Sequence, residues 1–352
     1  MVSSLPGMPG NNGDVSRRGL WECAIAALLF GVSAPLAAEL ADDVSPFTLA
    51  GLLYVGAALA VVPFARTTPP STDALRRGAR RLGTAVFFGG ALGPVLLAFG
   101  LRAVTPATSS LLLNLELVFT TLLAGLVFRE HLGRRVIVGT GLVVVASVIL
   151  SGGAADVRWG AVLIAGACLC WAIDNCVTAA LDELAPVHIT MLKGVVAGGA
   201  NLAIGLAAGG WPTLGIVVGA LVIGAFGYGV SMTLWVAGAR GLGAARGQLV
   251  FATAPFVGAV VAWTVLGDDV TTRAMVACAI ALAGVATVLR SDHVHAHRHD
   301  AVVHDHTHDH HDGHHDHVHA DGFAGRHQHT HEHASLVHAH PHMPDVHHRH
   351  AH

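Results

Sequence analysis

Residues 106–128 read PATSSLLLNLELVFTTLLAGLVF. The run is long enough to cross the hydrocarbon core of a bilayer as a helix, which takes about 20 apolar residues. Pro106 stands at its start, where a missing amide costs nothing. Its one charged residue, Glu116, lies near the middle. An ionisable group at that depth is costly, so Glu116 is a functional candidate by default.

The rest of the chain repeats the theme. Of its 352 residues 53% are hydrophobic and only 12% are Asp, Glu, Lys or Arg, which excludes an ordinary large soluble core. The pattern predicts ten spans, at about 20–38, 46–65, 82–101, 106–128, 134–151, 158–180, 186–208, 213–236, 245–266 and 273–290. Pro46, Pro186 and Pro212 also sit at or near span starts, whereas Pro35 and Pro255 lie inside spans and predict kinks or breaks. Arg17, Arg18 and the small residues after Pro35 resemble a secretory leader, but nine further runs favour an uncleaved first span. The 42 glycines include the small-xxx-small pairs Gly89/Gly93, Gly194/Gly198 and Gly215/Gly219, which predict close helix packing. The five cysteines all lie in apolar runs without a CxxC pair, so they read as small buried hydrophobes.

The chain contains a faint internal repeat. Trp21 recurs as Trp159, 138 positions later, and Arg102 as Arg240, Glu130 as Asp268 and Arg135 as Arg273 in the same register. Each copy holds five spans, and an odd number inverts the second copy relative to the first. Basic residues agree. The loop after the fourth span has Arg129, Arg134 and Arg135, whereas its counterpart after the ninth has Asp268, Asp269 and Arg273. The expected fold is therefore an all-α integral membrane protein, ten transmembrane helices in two inverted five-helix repeats. Its parts are a cytoplasmic segment 1–19, repeats 20–151 and 157–290, and a tail 291–352. Both termini are expected on the cytoplasmic side, in a bacterial inner membrane.

Residues 293–352 hold 24 of the 26 histidines, interspersed with Asp, and their composition predicts disorder. Their densest stretch includes His304, His306, His308, His310, His311, His314, His315, His317 and His319. Neutral imidazole ligates Ni, Co, Zn and Cu, so these nine are candidate metal ligands. A solubilising or proton-responsive tail is the competing reading.

Two further spans carry buried polarity. Asp174 and Asn175 lie in the sixth, and Lys193, the only lysine in the chain, lies about two turns into the seventh. Asn114 and Asn201 add uncharged polarity, and Pro255 marks the ninth. The simplest account is a cavity between the repeats containing Glu116, Asp174 and Lys193. Lys193 would neutralise one carboxylate, and the other is a candidate proton carrier. A structural ion pair that fixes helix register competes with this. Across the repeat, Glu116 faces Ala254 and Asn114 faces Ala252, so the scaffold is nearly symmetric and the candidate site is not. Glu130, Asp268, His131 and His188 read as helix-end and interfacial residues.

The stretch Ser109 to Thr120, followed by Phe128-Arg129-Glu130-His131-Leu132, resembles the EamA-type repeat of the drug/metabolite transporter superfamily. Leu117 replaces that family's usual proline and Arg129 its usual glycine. The second copy keeps Pro255 and Gly267-Asp268-Asp269-Val270. Trp171 to Asn175 and Leu192-Lys193-Gly194 are similar too. The resemblance covers about residues 20–290. It implies a ten-helix inverted-repeat fold, a central cavity and secondary transport, usually export, of small organic solutes such as amino acids, metabolites or drugs.

The expected function is thus secondary active export of a small polar metabolite, amino acid or drug, with a cytoplasmic tail that binds divalent metal. Divalent-metal export and a non-transporting metal sensor are the alternatives. Lys193 would repel a cation in the pore, which favours the organic solute. No enzymatic activity, required cofactor or nucleic-acid partner is expected, and no Gly-rich phosphate loop is present. Lipid, solute and metal are the expected partners, with a homodimer left open.

Overall fold

The structure is a computed structural model. It describes residues 12–67, 69–127, 134–152, 155–179, 181, 184–242, 247, 250–289, 293–299, 302–308, 327–333 and 336–342. Arg129, Glu130 and His131 lie outside these, as do His310, His311, His314, His315, His317 and His319.

Residues 1–291 form one compact unit, and the regular secondary structure of its described residues is all helical. Eight helices are long and apolar enough to cross a membrane: Arg17–Ala41, Pro46–Ala65, Thr72–Leu101, Pro106–Leu123, Arg134–Ser151, Ala155–Thr178, Pro186–Gly209 and Leu214–Gly238. Two shorter apolar helices, Ala254–Thr264 and Thr272–Val288, follow where the ninth and tenth spans are expected. Trp21 and Trp159, the aromatic pair of the repeat, are 68% and 63% exposed, as interfacial anchors would be.

Several of these helices are composite. In chain order the α-helices are α1 (Asn12–Ala41), α2 (Pro46–Ala65), α3 (Thr72–Ala85), α4 (Gly93–Leu101), α5 (Pro106–Leu112), α6 (Leu115–Val127) and α7 (Arg134–Ser151). Then follow α8 (Ala155–Ala179), α9 (Pro186–Leu192), α10 (Gly199–Gly209), α11 (Leu214–Gly224), α12 (Ser231–Leu242), α13 (Ala254–Thr264) and α14 (Thr272–Leu289). Three π-helical segments interrupt the series: Val86–Leu92 joins α3 to α4, Lys193–Gly198 joins α9 to α10, and Ala225–Val230 joins α11 to α12. The first and third stand at equivalent positions of the repeat. The second has no counterpart in α2, which stays α-helical. π-helical turns are rare and gather at functional sites.

Helix ends are held as their chemistry requires. Ser71 caps α3 and Thr105 caps α5. Asp268 accepts from the Ala107 amide at 2.8 Å, so the second repeat caps a helix of the first. Arg102 donates to the carbonyls of Ala41 and Val44 at 2.7 and 2.8 Å, which closes the end of α1. Pro35 does not break α1. The carbonyl it deprives of a partner is that of Gly31, four residues earlier. That carbonyl faces Gly258 of α13, where a methyl group would come within 2.6 Å of it. Pro255 likewise starts α13 in its first turn rather than kinking a longer helix.

Two of the three glycine pairs pack as expected. Gly89 and Gly93 face Asp174, Trp171 and Cys170 on α8, and Gly194 and Gly198 lie against Tyr54 and Ala58 on α2. Gly215 meets nothing within 4 Å, so the third pair is no packing motif. Elsewhere α7 and α14 cross at Gly139 and Gly284, each against the other's carbonyl.

Residues Asp292–His352 form a second unit. Its described residues are four seven-residue strands: β1 (His293–His299), β2 (Val302–His308), β3 (His327–His333) and β4 (Leu336–His342). β1 pairs antiparallel with β4 and β2 with β3. His alternates with other residues along these segments, a period of two. His304, His306 and His308 lie on β2.

Candidate functional site

The fourth span is not one helix. A turn at Leu113–Asn114 separates α5 from α6. The second repeat has the same break at Ala252–Thr253, just before α13. Glu116 therefore sits in the first turn of α6, where the helix dipole favours a carboxylate. The Leu112 carbonyl that the break leaves over faces the Cys168 thiol at 3.9 Å, and the Leu113 carbonyl, 4.0 Å from the same thiol, accepts the Glu116 amide at 3.0 Å. Cys168 is buried as expected, but it is also a hydrogen-bond donor. Asn114 closes the turn by donating to its own Leu111 carbonyl at 2.9 Å.

Glu116 accepts a 2.8 Å hydrogen bond from Asn175 on α8. One residue earlier, Asp174 pairs with Lys193 at 2.5 Å and accepts from Thr178 at 3.0 Å. The side chains of Asp174 and Lys193 are only 8% and 13% exposed. Both lie within electrostatic range of Glu116. The structure thus gathers Glu116, Asp174, Asn175 and Lys193, from the fourth, sixth and seventh spans, into one group. With all three ionised, its net charge is −1.

The π segments make this approach feasible. Within Val86–Leu92 the bonding pattern runs from residue i to i−5, as from the Gly93 amide to the Phe88 carbonyl. The next bond in that series would come from residue 94, which is proline and has no amide proton. The Gly89 carbonyl is left over, and two side chains take it. Tyr54 donates to it at 2.6 Å and the Trp171 indole at 3.2 Å. Asn201 donates to the neighbouring Ala91 carbonyl at 3.2 Å. Gly89 also lies directly against the Asp174 carboxylate, and Gly90 against Ala197 and the Lys193 stem. In the second repeat Met232 stands where Pro94 does, so its amide is present and this junction has no twin.

These contacts predict a contrast between two glycines. A methyl group at Gly89 would overlap the Asp174 carboxylate, and overpacking costs about 1–3 kcal/mol. Gly215 has open space. Thermal unfolding in detergent should show Gly89→Ala destabilised by that amount and Gly215→Ala close to unchanged. Equal effects would mean that Gly89 is not a close-approach position.

Comparison with known proteins bears on what such a group does. Residues 17–152 and 158–290 each match the EamA-like transporter family. The chain belongs to that family. It is a membrane transporter of the drug/metabolite transporter superfamily. An uncharacterized transporter from Methanothermobacter thermautotrophicus is 26% identical over 309 residues, covering 80% of this chain and 89% of that one. A protein of known crystal structure shares the fold, with a TM-score of 0.58 and 18% identity over 78% of this chain and 97% of that one.

Two residues of this EamA-like chain escaped the sequence reading. Tyr54 and Tyr228 are its only tyrosines, both buried, with ring centroids 5.7 Å apart. Both hydroxyls lie within electrostatic range of Glu116. Their rarity was the available signal, since a buried phenol needs a partner. Pro94 was legible too, but only once the π register was known. Pro255 offers no polar group and serves to start α13.

Proposed function

We propose that the protein is a secondary active exporter of a small polar metabolite, amino acid or drug. The reading includes ten spans in two inverted five-helix repeats, both termini in the cytoplasm, and a bacterial inner membrane. The observation that carries it is the asymmetric group Glu116–Asn175 and Asp174–Lys193, set where helices are interrupted in an otherwise repeated scaffold. Interrupted helices at a repeat interface are where secondary transporters bind solute and coupling ion. The distribution of Arg residues supports the orientation. Among the described residues Lys193 faces the group, and no cluster of three His, Cys, Asp or Glu suited to a metal is found. That supports an organic solute over a metal in the pore.

The His-rich tail favours a second reading, in which it collects Ni, Co, Zn or Cu and the pore exports the metal. Metal buffering by the tail beside an organic transport path is the version we adopt. The test is uptake into proteoliposomes of the full-length protein, with amino acids, amines and nickel as candidates under imposed proton and solute gradients. Gradient-driven flux of an organic solute is expected. Nickel flux with no organic flux would establish the second reading instead.

A further inference from the structure

The group around Glu116 continues into a row of aromatic rings that nothing so far explains. Tyr54 on α2 lies beside Tyr228 of the third π segment. Tyr228 meets Phe30 of α1 at 5.8 Å, edge to face. Phe30 meets Phe251 at 5.2 Å, and Phe251 meets Trp235 of α12 at 5.9 Å. The tyrosines are buried, whereas Phe30, Phe251 and Trp235 are partly exposed. At the far end the Trp235 indole N–H is buried without a hydrogen-bond partner among the described residues. A buried donor left unmade is costly, so it is a position that a ligand acceptor would satisfy.

Charge identifies what belongs at the near end. Asp174 already has Lys193 as counter-ion and Thr178 as donor. Glu116 has the uncharged amide of Asn175, and it is only half-buried. One negative charge stands in excess beside ring faces that themselves attract cations. A ligand carboxylate finds no such complement, because Lys193 is held by Asp174.

We propose that this group and row form the binding site for a protonated amine with an aromatic or apolar body. The ammonium sits against Glu116 beside Tyr54 and Tyr228. The body lies along Phe30 and Phe251, and an acceptor on its distal end meets the Trp235 N–H. The proposal rests on the transport reading above and names the solute class within it.

The test is isothermal titration calorimetry on the full-length protein in nanodiscs with three ligands that share one ring. Phenethylamine is a cation, phenylalanine a zwitterion and 3-phenylpropionate an anion. Wild type should bind phenethylamine at least about tenfold more tightly than 3-phenylpropionate, the worth of one unshared ion pair. Glu116→Gln should erase that preference, and Phe251→Leu should weaken the amine about threefold. The proposal is overturned if the anion or zwitterion binds as well as the amine, if Glu116→Gln keeps the preference, or if none of the three binds. Flux of the same ligands in proteoliposomes separates the two claims. Selective amine binding without flux sustains the site and sinks the transport reading. Flux of another organic solute without amine binding does the reverse.

Discussion

Glu116→Gln is expected to lower the initial rate of solute uptake about 100-fold while leaving the unfolding midpoint near that of wild type. The two side chains have nearly the same size, and the glutamine carbonyl can still accept from Asn175, which now bonds Glu116 at 2.8 Å. What disappears is the charge in excess of the Asp174–Lys193 pair. Removing one partner of the charge pair that Glu116 makes with a cationic solute in the proposed site costs about 2–5 kcal/mol, and about 2.8 kcal/mol corresponds to 100-fold. Uptake into proteoliposomes with matched amounts of folded protein provides the check. Wild-type uptake by Glu116→Gln would remove Glu116 from the transport path.

Lys193→Ala should have the largest effect on stability. The substitution strands Asp174, whose side chain is 8% exposed, beside Gly89 and the rest of the first π segment. Breaking a buried pair by deleting one partner costs about 3–5 kcal/mol, because the remaining charge is left uncompensated. Adding Asp174→Asn to Lys193→Ala should recover most of the loss, since a neutral amide is far less costly to bury. Thermal unfolding in detergent of the two single variants and the double variant gives the coupling between the residues. A Lys193→Ala loss below about 1 kcal/mol would class the contact with exposed ion pairs.

The sequence made the membrane character legible because the polar residues are so few. Glu116, Asp174 and Lys193 stood out against apolar runs, and the cost of burying charge made each a candidate. The spacing of 138 residues also pointed to the equivalence that the breaks before Glu116 and Ala254 now display. The pairing itself was not legible. Asp174 and Asn175 are neighbours in sequence, yet one turns to Lys193 and the other to Glu116, and only the packing of α8 decides which. The π segments were hidden for a similar reason. Each carries two glycines, but glycine is frequent throughout the spans, and the register change depends on packing between helices. Pro94 and the carbonyl of Gly89 acquire meaning only within that register.

The central claim is that solute crosses at the Glu116 group and that the His-rich tail is not the path. The most direct measurement compares uptake by the full-length protein with uptake by a chain ending at Arg290, each with and without Glu116→Gln, for both an organic solute and nickel. The predicted result is organic flux that survives truncation and is lost with Glu116→Gln in either background. Nickel flux that survives truncation and requires Glu116 would contradict the account.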